Sequence, residues 1–287
     1  MKIGFIGTGI MGSPMIKHLH QNGYSLNIYN RTYEKALKLS AYGNVHTSIE
    51  SLTESSDIIL LIVGYPKDVE DVVLEIYKHA KKGTIVVDMT TSSPKLATKL
   101  SNIGIKQEIY LLDAPVTGGE PGAIEGTLST MVGGPKDKFL VIEPLLKTFS
   151  KTITYVGTAG FGQYAKLANQ IAIAGALAGV VESLYFAMQQ NLNLTDVYQI
   201  LMGGSAQSNQ LKVNGLKIME QNYEPGFFIK HFLKDLNLAI ESSHVELKVL
   251  NQVKNMLDEL VLNGYENKGT QALMLYYLDN LYKKAQK

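Results

Sequence analysis

The chain has 287 residues, 45% hydrophobic and 18% charged, with no cysteine, no tryptophan and 27 basic against 26 acidic side chains. That is room for about two domains of an ordinary globular kind. A net charge of +1 makes no electrostatic case for nucleic acid or a membrane surface, and the lack of cysteine removes disulfides, thiolate zinc sites and cysteine nucleophiles together.

Met1 and Lys2 lead straight into an apolar stretch that glycine interrupts, so no secretory leader is read and a cytoplasmic location is expected. Strands are expected over 2–6, 25–29, 58–63, 84–88, 110–113, 129–132 and 152–155, separated by helical patterns over 33–41, 67–79, 94–102 and 136–148. Short apolar runs alternating with helices mark a parallel sheet with covered faces. After Tyr155 the strand signals stop. A glycine-rich stretch over 156–162 opens a series of long helical patterns at 163–190, 195–202, 228–250 and 271–285. The expected architecture is α/β, with an alternating domain over 1–159 followed by an all-helical domain over 160–287. The helix that opens the second domain carries Ala172, Ala174, Gly175, Ala176, Ala178 and Gly179, small residues that let neighbours approach closely. Its apolar run over 171–181 is shorter than the roughly 18 to 20 residues needed to span a bilayer, so it reads as a buried helix.

Gly7, Gly9 and Gly12 spell Gly-x-Gly-x-x-Gly directly after the first strand and at the start of a helical pattern through Met15, Ile16 and Leu19. In that context the first glycine makes a tight turn, the second lets a pyrophosphate approach the backbone, and the third lets helix pack on strand. Free N–H groups at the helix start then face the phosphates. With 26 glycines in the chain a chance match is easy. The strand before and the helix after favour a Rossmann dinucleotide site, with Ile10 and Met11 inside the turn, over a plain glycine turn.

Where an NAD enzyme places an acid on the ribose 2′-hydroxyl, the second strand ends in Asn30, Arg31 and Thr32. Asn30 does not repel a 2′-phosphate, and Arg31 can pair with one while laying its guanidinium on adenine. The competing reading is a solvated turn arginine. Because Arg31 is the chain's only arginine, its position points to NADP, with NAD bound more weakly. The carboxyl ends of later strands should line the same crevice, at Val63, Gly64, Tyr65 and Pro66 and over 90–93, which includes Thr91. Their small polar side chains serve equally well as helix caps.

Two further segments can carry chemistry. Asp113-Ala-Pro-Val-Thr117-Gly118-Gly119 is a glycine turn with a hydroxyl and successive N–H groups that can hold a carboxylate, although such turns are more often only turns. In the second segment Lys166, Asn169 and Gln170 stand at i, i+3 and i+4 near the start of the long helix and so share one face. Lysine there is unfavourable for the helix dipole, which lowers its pKa. A surface lysine with capping neighbours is the alternative. The six histidines, His18, His20, His46, His79, His231 and His244, show no metal-ligand spacing. All are read as structural or surface residues, and no metal is expected.

These residues carry a resemblance. Gly7 to Gly12 with Met11, the Asp113 to Gly119 run continuing as Glu-Pro-Gly-Ala-Ile-Glu-Gly-Thr-Leu, Lys166-Leu-Ala-Asn-Gln and Lys234-Asp235-Leu236 resemble the β-hydroxyacid dehydrogenase family over essentially the whole chain. That family includes 3-hydroxyisobutyrate dehydrogenase and tartronate semialdehyde reductase (2-hydroxy-3-oxopropionate reductase), and the stretch over 120–134 is most similar to the latter branch. The resemblance implies an N-terminal Rossmann domain and an all-helical substrate and dimerisation domain, in a homodimer or homotetramer. It implies Lys166 as general acid and base, Thr117, Gly118 and Gly119 on the substrate carboxylate, Gln170 and Asn169 on a substrate oxygen, and Lys234 with Asp235 closing the far side. Lys234 is also expected beside the cofactor. Gln170 and Thr117 depart from the Asn and Ser of many members, and the acidic residue often found ahead of the last helix is replaced around Gly269. These departures bear on substrate choice.

The expected activity is therefore NADP-preferring hydride transfer between a small β-hydroxy carboxylic acid and its semialdehyde. A glyoxylate or succinic semialdehyde reductase of the same family, and a non-catalytic NADP-binding interaction module, remain as alternatives. With Arg31 committed to the cofactor, no arginine is left for a bidentate clamp on a sugar phosphate, which argues against 6-phosphogluconate.

Overall fold

The structure, a computed structural model, describes residues 1–278. The chain divides into two compact units, Met1–Lys166 and a second that begins at Leu167. In the first, nine strands form one sheet: β1 (Lys2–Ile6), β2 (Ser25–Tyr29), β3 (Asn44–Val45), β4 (Ile58–Leu61), β5 (Ile85–Asp88), β6 (Tyr110–Asp113), β7 (Val116–Thr117), β8 (Leu128–Gly133) and β9 (Ser150–Gly157). Their order is β3-β2-β1-β4-β5-β6-β8-β7, with β9 on β8. The first six strands pair in parallel. β8 reverses direction against β6 and β7 and carries β9 parallel to itself.

Helices α1 (Gly12–Gln21), α2 (Tyr33–Leu37), α3 (Ile49–Glu54), α4 (Pro66–His79), α5 (Pro94–Ile105), α6 (Gly119–Glu125) and α7 (Lys136–Leu146) connect the strands. The sheet is covered on both faces, and the strand sequences show why. Successive side chains of a strand point to opposite faces. In β4, Ile58 and Leu60 join a core with Ile16, Leu19 and Leu145, whereas Ile59 and Leu61 join another with Val69, Val73 and Leu100. A strand buried on both sides reads as the unbroken apolar run Ile-Ile-Leu-Leu. α4 and α5 both open on proline, whose missing N–H has no partner to lose in a first turn.

The expected strand over 58–63 stops at Leu61 because the Val63 N–H turns to the Thr90 hydroxyl, at 3.0 Å, instead of continuing the ladder. β3 and β7, of two residues each, are too short for their alternation to show in the sequence. The six-residue α3 and seven-residue α6 also escape a periodicity reading. Only α3 carries a local sign, Ser48, whose hydroxyl accepts the Ser51 N–H at 3.1 Å.

The second unit is helical. α8 (Phe161–Gln189) begins in the first unit and continues through the second, followed by α9 (Leu194–Gly203). A wide π-helical turn over Leu211–Gly215 runs into α10 (Leu216–Met219), and α11 (Ile229–Ser242), α12 (Lys248–Leu262) and a short 3-10 turn over Thr270–Ala272 follow. The chain is helical again over 273–278, and the remainder of the helix expected over 271–285 lies outside the described residues. The single helix expected over 228–250 is two. No glycine or proline marks the break. Ser243 makes it, its hydroxyl donating to the Val245 carbonyl at 2.7 Å and so competing with the helical ladder.

α8 is long and apolar enough to cross a membrane by length and composition. Here one stripe of it, including Leu177, Val181 and Leu184, packs with Phe232, Leu236 and Leu257 of α11 and α12. Its other side leaves Ala172, Gly179, Ser183 and Phe186 exposed, so the helix is buried along one face and not all round. Leu177 is fully buried in that core, and Leu177→Ala should destabilise the protein by about 2–5 kcal/mol, read as a lowered midpoint in urea unfolding followed by circular dichroism.

Candidate active site

Parallel pairing brings the carboxyl ends of β1, β2, β4, β5 and β6 to one edge of the sheet, and most residues singled out in the first unit lie there. After β1 the chain turns at Gly7, whose φ of +101° suits glycine. A Cβ at Gly7 would collide with the Ile62 carbonyl, and one at Gly12 with the Gly7 carbonyl, whereas at Gly9 it would meet nothing within 4 Å. Tightness at the first and third glycines with open space at the second is what a pyrophosphate lying against the backbone requires. α1 starts there with no side-chain cap and no acid in its first turn, which leaves its N–H groups and dipole to an anion. Ile10 is exposed at the mouth of this turn, and Met11 packs against the core. The arrangement fits the diphosphate of a dinucleotide.

At the end of β2, Asn30 is tied to this turn. Its Oδ1 accepts the Thr8 N–H at 3.1 Å and its amide donates to the Thr32 carbonyl at 3.0 Å. Thr32 precedes α2 without a side-chain capping bond. Arg31 is 89% exposed, and its guanidinium reaches Asp68 of α4 at 3.3 Å. Asp68 is held by a second bond, accepting the Tyr65 N–H at 3.0 Å. Gly64, Tyr65 and Pro66 thus enter α4 beside the only arginine, and Val63 is bonded to Thr90 as above. Beyond β5, Thr90 N–H donates to Asp88 Oδ1 at 2.9 Å and Ser93 accepts from Leu96 as the cap of α5. Thr91 lies half-buried between them.

The turn after β6 is held by β7, in which Thr117 pairs with Ser129 of β8. Thr117 is half-buried, while Gly118 and Gly119 are exposed, with φ of +129° and +65°. These values leave successive backbone N–H groups on a solvent-facing turn, suited to a carboxylate. Lys166 stands in the second turn of α8 with only 6% of its surface exposed, which removes the surface-lysine alternative. One turn earlier Gln163 is fully buried, its amide bonded to Ser92 and Thr90. Sequence reasoning missed Gln163, which gives no sign of burial in its local pattern.

In the second unit the four remaining residues form one polar chain. Asn169 donates to Gln170 Oε1 at 2.9 Å, Gln170 donates to Asp235 Oδ2 at 2.6 Å, and Lys234 Nζ lies 3.1 Å from Asp235 Oδ1. Gln170 and Asp235 are both buried. The longer amide of Gln170 reaches a carboxylate on α11 from its place on α8. Gly269 pairs its backbone with Phe228, and the buried Gln271 beside it donates to the carbonyls of Asn222 and Glu224.

Among the described residues, Glu50, Glu54 and His79 bring possible metal-ligating atoms within 4.8 Å of one another, a grouping formed across α3 and α4 that sequence spacing hides. His79 there lies 3.2 Å from Glu75 and 3.7 Å from Glu50, in surface ion pairing of the ordinary kind.

Residues 2–157 match the family model described as the NAD binding domain of 6-phosphogluconate dehydrogenase, and residues 160–277 match that described as NAD-binding of NADP-dependent 3-hydroxyisobutyrate dehydrogenase. The chain is 41% identical to 2-hydroxy-3-oxopropionate reductase of Escherichia coli over 252 residues, 85% of this chain and 84% of its relative. It is 38% identical over 282 residues to a protein of Arabidopsis thaliana named probable 3-hydroxyisobutyrate dehydrogenase-like 1, mitochondrial, covering 96% and 84% of the two chains. Among solved structures, Psf3 in complex with NADP+ and 2-OPP has a TM-score of 0.87 at 25% identity, over 95% of this chain and 98% of that one. With a dinucleotide-type glycine turn on a Rossmann sheet, a buried helix lysine and relatives of this identity along nearly its full length, the chain belongs to the β-hydroxyacid dehydrogenase family and is an oxidoreductase that uses a nicotinamide dinucleotide on small hydroxy acids.

Proposed function

We propose that this enzyme prefers NADP and interconverts a small β-hydroxy carboxylic acid with its semialdehyde, Lys166 serving as general acid and base. The burial of Lys166 near the start of α8 carries this reading, because an amine removed from water is the group whose proton affinity an enzyme can tune to its reaction. NADPH, when bound, supplies the hydride for the carbonyl carbon. In reduction Lys166 donates a proton from Nζ to the carbonyl oxygen as it becomes an alcohol, and in oxidation the neutral amine takes the hydroxyl proton. Thr117, Gly118 and Gly119 hold the substrate carboxylate through hydroxyl and backbone N–H. The chain from Asn169 through Gln170 and Asp235 to Lys234 orients a substrate oxygen. Its internal bonds fix each side chain in advance, which lowers the cost of ordering it on binding.

For the cofactor, Gly7 to Gly12 cradle the diphosphate, and Val63 to Pro66 with Thr91 line the remainder of the crevice. Asn30 and Thr32 leave the end of β2 without an acid, and Arg31 exchanges Asp68 for the 2′-phosphate. The substrate is a small carboxylate because no second arginine exists to clamp a sugar phosphate.

The enzyme acts as a homodimer or homotetramer. Exposed Phe186, Leu192 and Ile200, on α8, α9 and the link between them, support self-association. Sedimentation velocity is expected to show a dimer or larger species at micromolar protein, and a monomer would refute this part of the reading.

Absorbance of reduced nicotinamide, followed with NADPH and separately NADH against tartronate, methylmalonate and succinic semialdehydes and glyoxylate, tests the reaction. Faster turnover with NADPH on one small semialdehyde is expected. A charge-assisted hydrogen bond is worth about 1.5–3 kcal/mol, so Arg31→Ala should weaken NADP+ binding roughly tenfold or more while sparing NAD+; equal losses for both cofactors would defeat the assignment. Lys166→Ala should lower kcat by about 10² to 10⁴ with the Kd for NADPH preserved, and near-normal turnover would remove the lysine from its role.

A further inference from the structure

Asp113 is a buried carboxylate with no part in the scheme above. It ends β6 with none of its surface exposed. Its Oδ1 accepts the Gly160 N–H at 2.7 Å and its Oδ2 the Gln163 N–H at 2.8 Å. Two N–H groups at the entry to α8, where the helix lacks partners of its own, are thus taken by a strand residue as far as 50 positions back in sequence. The Gln163 side chain makes a second attachment, Oε1 accepting the Ser92 N–H and Nε2 donating to the Thr90 carbonyl, both at 2.8 Å. The first turn of α8 is therefore bonded to the end of β6 and to the segment that follows β5.

Close approach of the backbone makes this possible. A Cβ on Gly162 would collide with the Asp113 carbonyl and stand 2.7 Å from the Met131 carbonyl oxygen, and one on Gly133 would stand 2.8 Å from Asp113 Oδ1. Burial pushes the Asp113 carboxyl up to about 6 against the opposing pull of the Gly160 and Gln163 N–H groups, and each of its oxygens accepts one of those bonds. A local serine or asparagine at the N-cap would satisfy a helix start without burying a charge. The distant carboxylate adds what a local cap lacks, a fixed register between the helix and the sheet edge.

Lys166 follows Gln163 by three residues, so the two lie on neighbouring turns of one helix face. Fixing Gln163 at the sheet edge fixes the Cα from which the Lys166 amine extends.

We infer that Asp113 and Gln163 are positioning residues for Lys166, together holding the first turn of α8 in the register from which the amine transfers its proton. The inference rests on the acid–base reading of Lys166 given above. Two variants test it. Asp113→Asn preserves size and one acceptor but turns an amide N–H toward a backbone N–H, and Gln163→Met preserves length without either side-chain bond.

With NADPH saturating and the preferred semialdehyde as substrate, each variant should lose roughly 10- to 100-fold in kcat, the scale of an ångström's misplacement. The solvent deuterium isotope effect on kcat should rise, as proton transfer comes to limit turnover. Parental kcat in both variants, or a loss with no change in the isotope effect, would show that the two residues are structural and overturn the inference. If Asp113→Asn does not fold, Gln163→Met, which leaves the carboxylate cap in place, decides the matter. Lys166→Ala is assayed alongside: normal turnover there overturns both readings, whereas a loss at Lys166 with none at Gln163 or Asp113 overturns the positioning role alone.

Discussion

Parallel pairing of β1 with β2 and β4, and of β4, β5 and β6 in turn, is the constraint on which the first unit's chemistry depends. Strands that run the same way all give way to their helices at one edge. Residues 7–12, 30–32, 62–66, 89–93 and 114–119, distant in sequence, are gathered there. The strands themselves are buried on both faces, so a polar side chain within them must find partners from the chain. Asn27 shows what that takes: its amide donates to the Ser55 carbonyl and Ser56 hydroxyl, and its oxygen meets a ring nitrogen of His46. Polar groups that are to meet a ligand fall instead to the strand ends, where Ile10, Tyr65, Gly118 and Gly119 are exposed.

The second unit meets the same restriction with helices. A helix core is apolar along its seams, and a carboxylate such as Asp235 placed there is costly unless its oxygens are bonded. Gln170 takes one oxygen and Lys234 approaches the other, while Asn169 fills the remaining acceptor of the glutamine. Each bond orients the next group, so removing any member leaves a buried partner unpaired. Rigidity of this kind is a cost to stability that makes sense where side chains must be held ready for a ligand.

How much of this was legible in the sequence follows from where each signal lives. Lys2 to Ile6 and Tyr110 to Asp113 could be delimited because a doubly buried strand is an apolar run bounded by turn residues, and the glycine turn because its residues are adjacent. Lys166, Asn169 and Gln170 were recognisable as a set by helical spacing. Their partners Asp235 and Lys234 were reached only through the family resemblance, since α11 meets α8 only in three dimensions and nothing near Asp235 in sequence shows that it is buried. Gln163 was hidden for the same reason. The break at Ser243 was missed because it rests on a side-chain bond and not on glycine or proline, and β3 and β7 because two residues cannot display a period. Local pattern recorded the elements, whereas the bonds that lock the site are long-range.

The Arg31–Asp68 pair shows how weak contacts can serve a strong one. The arginine is largely exposed, and an exposed ion pair contributes about 0–1 kcal/mol. Asp68 loses little by releasing it, because its other oxygen remains bonded to the Tyr65 N–H at the start of α4. A 2′-phosphate offers more negative charge than a carboxylate and a geometry that matches the guanidinium fork, and the proposed preference for NADP rests on that comparison. On the proposed reading, discrimination between the cofactors is a difference between two attractions for one arginine, set by the two loops that carry Arg31 and Asp68 and not by the glycine turn.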